Sequence, residues 1–119
     1  MRASAASCVT NVGYRVNPLS LNLKGGTQPE IFQGTVYAIA QELKTDAAKF
    51  WQDALAKDGP IEIWEIQGER WLFNGHHRYQ AAIQAGVDIP AAHIRIVAKS
   101  SSSIPTWRFD QMTWLPGLK

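Results

Sequence analysis

Residues 71–86, Trp-Leu-Phe-Asn-Gly-His-His-Arg-Tyr-Gln-Ala-Ala-Ile-Gln-Ala-Gly, decide how this chain is read. The apolar run Trp71-Leu72-Phe73 meets Gly75 and then a segment with apolar positions at Tyr79, Ala82, Ile83 and Gly86. The change of period predicts a strand, a tight turn and a helix, with His76, His77 and Arg78 at the helix entry. The first amides of a helix lack internal partners and carry the positive end of its dipole, so they suit an anion. Gly75 allows backbone to approach a ligand closely, and Arg78 adds an always-charged fork that matches phosphate. On physical grounds this turn is a candidate phosphate cradle.

Upstream, Ile61-Glu62-Ile63-Trp64-Glu65-Ile66 reads as a strand, Gln67-Gly68 as a tight turn, and Arg70 to Phe73 as the hairpin partner. Asp58-Gly59-Pro60 stops a long amphipathic pattern in which Val36, Ile39, Ala40, Leu43, Ala47, Phe50, Trp51, Ala54 and Leu55 recur at helical spacing. Thr45-Asp46 in its middle is an N-cap signal, so the pattern predicts either one helix or two. Before it, Tyr14-Arg15-Val16 predicts a first strand ended by Asn17-Pro18, and Lys24 to Pro29 reads as a loop. Downstream, Gly86 ends the helix that starts near His77, and His93-Ile94-Arg95-Ile96-Val97 alternates like a half-buried strand. Ser100 to Ser103 reads as a flexible link. The tail, Ile104 to Leu118, has no clear period and is expected to pack on the body as an irregular arm.

A chain of 119 residues is expected to form one domain over residues 12–119, with residues 1–11 a linker or cut edge. Hydrophobic content of 45% with five Trp argues for a folded core rather than disorder. The net charge of +2 announces no global basic field, so any nucleic-acid contact has to be local. The single Cys8 excludes an internal disulfide and a multi-cysteine zinc site. No apolar run approaches the roughly 20 residues that span a bilayer, so no membrane role is expected. Met1 to Ser7 lacks the hydrophobic core of a signal peptide.

From about Pro60 to Val97 the chain resembles the ParB-like and sulfiredoxin superfamily. The residues that carry the resemblance are Asn74-Gly75-His76-His77-Arg78, Ala81-Ala82, Gly86 and Ile89-Pro90. Tyr14 to Leu23 and the helix from Val36 fit the family's opening strand and helix more loosely. The resemblance implies an α+β fold, a small mixed sheet with flanking helices. Sulfiredoxins carry a reactive cysteine where His76 stands, so reduction of a cysteine sulfinic acid is not expected here. ParB partition proteins have a glutamate there, bind a nucleoside triphosphate with magnesium, and need a helix-turn-helix domain that this chain has no room for. What remains is similar to isolated ParB-like domains described as nucleases, such as the C-terminal warheads of bacterial polymorphic toxins. That branch implies secretion within a larger toxin, action in the target-cell cytoplasm and a cognate immunity protein; outside it, a cytosolic protein is expected.

Each candidate residue has a plainer reading beside the chemical one. His76 and His77 invite a metal, but adjacent histidines at a helix start point apart, and only His93 remains as a third. The preferred reading has His76 as general acid or base beside a phosphate, with His77 and Arg78 holding the charge. Otherwise His77 caps the helix and Arg78 pairs with a carboxylate. Asn74 is a turn residue or positions a substrate oxygen. Gln28, with Thr27, falls where the family's early loop approaches the nucleotide. Glu62, Glu65, Glu69 or Asp110 could hold a divalent ion, although Glu62 reads better as a solvated strand position. Phe50 and Trp51 read as core. Trp107 and Trp114 could stack on bases, with core packing preferred.

The reading is therefore a toxin-type, phosphate-handling hydrolase that cleaves nucleic acid, DNA before RNA. His76, His77 and Arg78 are its catalytic set, and Asn74, Gly75, His77, Arg78 and Gln28 its phosphate or nucleotide contacts, with Mg2+ as a possible cofactor and other metals open. The alternatives are an enzyme hydrolysing or transferring a phosphoryl group of ATP or a related nucleotide, and a non-catalytic nucleotide-binding module.

Overall fold

The computed structural model describes residues 14–101 and 103–118. Cys8 and the expected 1–11 lead-in lie outside them, as does Ser102 of the expected link. In chain order the first half contains β1 (Arg15–Val16), a 3-10 turn (Pro18–Leu21), β2 (Leu23–Gly26), β3 (Glu30–Phe32) and α1 (Gln33–Asp58). The second half contains β4 (Ile61–Ile66), β5 (Glu69–Asn74), α2 (His76–Ala85), β6 (Ile89–Pro90), β7 (Ile94–Lys99), β8 (Trp107–Arg108) and β9 (Thr113–Leu115). No helix among the described residues is long and apolar enough to cross a membrane.

The α+β class is as expected, with one five-stranded mixed sheet in the order β7-β4-β5-β2-β8. Its centre is the β4–β5 hairpin, turned by Gln67 and Gly68 at φ 52° and 81°. Two positive φ values make the turn whose twist matches antiparallel strands. β7 runs parallel to β4 on one side, and β2 parallel to β5 on the other. Small pairs, β1 with β6 and β3 with β9, tie the periphery down. Both helices lie on one face, where Ile61, Ile63 and Leu72 meet Val36, Ala40, Leu43, Trp51, Tyr79, Ala81 and Ala82 in a single core. Each large aliphatic side chain buried there contributes about 1.5–3 kcal/mol.

Three expectations change. Lys24 to Gly26 is not loop but three of the four residues of β2, an interior strand of the sheet. Glycine is poor in strands except where another backbone comes close. That is the case here: a Cβ on Gly25 would collide with the carbonyl of Trp107 on β8. Secondly, the tail is more regular than an irregular arm, because Trp107-Arg108 extends the sheet antiparallel to β2 and Thr113–Leu115 pairs parallel with β3. Thirdly, α1 is both one helix and two. Asp46 sits at φ −155°, ψ 84° inside it, and its Oδ1 accepts the Lys49 N–H at 3.2 Å as an N-cap would. Thr45 Oγ1 closes the preceding turn on the Gln41 carbonyl.

Candidate active site

The kink in α1 shapes the site. A straight helix would hold Thr35 and Asp58 roughly 35 Å apart. Broken at Asp46, α1 folds back so that both residues line one partly open pocket of about 310 Å³. The other lining residues are Gln28, Ile39, Phe73, Asn74, Gly75, His76, His77 and Arg78. Thus all six residues proposed from the sequence border the same space. They arrive from the β2–β3 loop, the end of β5 and the first turn of α2.

Gly75 is the N-cap of α2 at φ 92°, and it contributes no capping side chain. A Cβ there would lie 2.9 Å from Ile61 Cγ1 and 3.3 Å from Arg78 Nη2, so glycine is required both for the turn and for the space. The first helical hydrogen bond runs from the Tyr79 N–H to the Gly75 carbonyl at 2.9 Å. This leaves the turn's leading end and its dipole facing the pocket.

The two histidines are buried and diverge. His76 Nε2 accepts the Thr27 N–H at 3.1 Å, and His77 Nε2 accepts the Phe32 N–H at 3.1 Å. A nitrogen that accepts carries no proton, so each ring is held as neutral imidazole with its proton on Nδ1. The His76 ring also fills the space above Gly26, where a Cβ would lie 2.5 Å from Nε2. His77 stacks on Phe32, ring centroids 6.2 Å apart. The rings therefore join the start of α2 to the ends of β2 and β3.

Arg78 is 6% exposed, and its Nη1 donates to the Gly59 carbonyl at 2.8 Å. Burial presses its pKa below the ordinary value, opposed by the nearby Asp58 carboxylate. An arginine remains charged under any such shift. Arg78 and Asp58 are thus the permanent cation and the carboxylate of the lining. Asn74 Nδ2 donates to the Asp58 and Pro60 carbonyls at 2.9 and 3.0 Å, holding the α1–β4 turn in place. Its remaining oxygen is an acceptor, which does not suit a phosphate oxygen. Gln28 Nε2 donates to the Glu30 carbonyl.

The remaining sequence candidates lie elsewhere. His93 is in edge-to-face contact with Trp51 and does not line the pocket. No group of three or more His, Cys, Asp or Glu side chains among the described residues is arranged around a metal position. Glu62 accepts the Trp64 indole N–H at 2.8 Å, Glu65 pairs with Arg70 at 3.0 Å, and Asp110 faces Arg108. Trp107 packs against the core, while Trp114 is 40% exposed. Sequence reasoning missed Thr35, Ile39, Asp58 and Phe73. Asp58 read only as part of a helix stop, although a buried arginine needs a carboxylate or carbonyl nearby. Phe73 read only as the end of an apolar strand. No family model matches the chain, and no curated protein sequence matches it.

Proposed function

We propose that the chain is a phosphate-handling hydrolase that cleaves phosphodiester bonds in nucleic acid, DNA before RNA, as the resemblance to ParB-like nuclease domains implies. The observation that carries this reading is the pocket itself. A buried arginine and an uncapped helix N-terminus face one space, alongside a single carboxylate and two neutral imidazoles. A non-bridging phosphate oxygen is met by the Arg78 fork and the amides of the α2 first turn. Water attacks phosphorus, the bond to the leaving sugar oxygen breaks, and that oxygen takes a proton. His76 gives this proton as an imidazolium, its Nε2 then released from the Thr27 N–H, which keeps its bond to the Leu72 carbonyl at 2.9 Å. Asp58 takes the proton from the attacking water. Alternatively, Asp58 would be the residue to hold Mg2+, which when bound would supply a more acidic water beside the phosphate. His77 keeps the end of β3, from which α1 starts, against α2. Within a secreted toxin, such a domain would require an immunity protein in its producer.

A specific observation favours a second reading, hydrolysis of free nucleotides. The pocket is of mononucleotide scale and its lining has only one permanent cation. One purified sample with magnesium decides between them. Nicking of supercoiled plasmid or degradation of total RNA, lost in Arg78→Ala, supports the nuclease. Phosphate release from nucleoside triphosphates without polymer damage supports the nucleotide hydrolase. Ligand binding without turnover leaves a binding module.

A further inference from the structure

The helices cover one face of the five-stranded sheet, and the other face carries aromatic side chains. Trp64 on β4 stands opposite Trp71 on β5, and Phe73, next to the register shift between these strands, stacks on Trp64 with centroids 4.2 Å apart and planes 9° off parallel. From the opposite neighbour, β7, Lys99 Nζ lies 4.5 Å from the Trp64 ring. Arg95 is in register with Glu62 and Val97 with Trp64, so Arg95, Val97 and Lys99 share this face. Trp64 is thus covered, while Phe73 remains 37% exposed and also lines the pocket. Only Asn74 and Gly75 separate it from His76, a span of about 10 Å at most.

Resting on the phosphate reading above, we propose that this face is the track of a single-stranded nucleic acid. One base stacks on Phe73 while its phosphate sits at the α2 entry, and the adjoining backbone runs toward Lys99 and Arg95. A single strand is required because bases in a duplex already stack on one another. A stack backed by Trp64 holds the Phe73 ring at a fixed angle, which suits a planar base of any identity. Two exposed cations on the neighbouring strand suit a polyanion, where a free nucleotide would need none beyond the pocket.

The test is fluorescence anisotropy of the full chain with EDTA present. The probes are end-labelled oligothymidine and oligouridine of about ten nucleotides, the same backbone with abasic sites, and inorganic pyrophosphate, used as competitor and also titrated directly by calorimetry. The base-bearing strand is expected to bind about 5- to 100-fold more tightly than the abasic one. Phe73→Ala and Phe73→Leu should abolish that ratio, whereas Phe73→Trp should retain it. Thermal melts of each variant separate loss of stacking from loss of fold. Arg95→Gln and Lys99→Gln should each flatten the salt dependence by about 0.7 in log–log slope. A ratio that survives Phe73→Leu overturns the proposal. So does pyrophosphate binding that depends on Arg78 with no binding of either strand, an outcome that leaves the phosphate reading standing. If pyrophosphate also fails to bind, both readings fall.

Discussion

The pocket has two unlike walls. One is the β5–α2 turn, Asn74 to Arg78, contiguous in sequence and built from a glycine, two histidines and an arginine. The other is the Gly26 to Phe32 segment, which reaches the pocket at Gln28 and presents backbone N–H groups to the two imidazoles from about fifty residues away. In the proposed reaction the first wall supplies the arginine and the histidines, and Asp58 comes from α1. The second wall holds the histidines in place, because each is oriented by the amide it accepts. Residues that look catalytic in the sequence therefore carry part of the architecture, and the fold fails at the glycines before it fails at the charges.

The largest effect should follow from Gly25→Ala. The new Cβ meets the Trp107 carbonyl, which is backbone of a neighbouring strand and cannot move aside without unpairing β8. A loss of about 3 kcal/mol in urea unfolding is expected. Gly68→Ala is the contrast: its Cβ meets nothing, and only the positive φ of 81° costs, about 1 kcal/mol. Equal losses in the two variants would mean that β2 is less tightly packed than described.

Next come the histidines. His77→Ala leaves the Phe32 N–H without its imidazole acceptor and should cost about 1–3 kcal/mol, whereas His76→Ala should cost less, because the Thr27 N–H also donates to the Leu72 carbonyl at 2.9 Å. Glutamine can place an amide oxygen near the Nε2 position, so His76→Gln should recover most of that stability. Comparing Gln with Ala separates the ring's two duties. Activity lost in both variants, with stability restored only in Gln, assigns His76 to proton transfer. Activity that returns with stability makes it a positioning residue.

Asp46 probes the part of the lining that α1 supplies, since Thr35 and Asp58 meet only because α1 is broken there. Asp46→Ala removes the cap on Lys49 and should cost about 1 kcal/mol. Pyrophosphate affinity should fall with it, although the substitution lies outside the pocket lining. Unchanged affinity would show that the break is fixed by packing rather than by the cap.

The first wall was legible in the sequence because its rules are local. Gly75 before His-His-Arg, a helix stopped at Gly86 and a two-residue turn at Gln67-Gly68 all declare themselves within a few positions. The second wall obeys longer rules. Leu23-Lys24-Gly25-Gly26 is a strand only because β8 and the His76 ring occupy the space that side chains would need, and nothing near Gly25 in sequence announces either. The same holds for Asp58, whose place beside Arg78 depends on a kink twelve residues earlier. The kink itself was visible as Thr45-Asp46, but its consequence for the pocket was not. Similarly, the strands in the tail are set by partners at Glu30–Phe32 and Gly25–Gly26, so no periodicity within the tail could reveal them.

The smallest expected effect is the one that reports most directly on the charged wall. His93 lies behind the pocket, and its pKa is held below the ordinary 6.5 by burial and then by the field of Arg78, against a hydrogen bond to the Trp51 backbone. Between that lowered value and 6.5, the unfolded chain binds more protons at this site than the native one. Stability therefore rises with pH through that window and levels off above it, and His93→Gln should remove this contribution from the pH dependence of thermal unfolding. A bound phosphate offsets the charge of Arg78, so pyrophosphate should raise the His93 pKa in an NMR titration, with the resonance assigned by comparison with His93→Gln. Arg78→Gln should raise it without ligand and make it insensitive to pyrophosphate. A His93 pKa that ignores pyrophosphate in the parent protein would mean that the anion does not reach the arginine, and that the two walls enclose something other than a phosphate site.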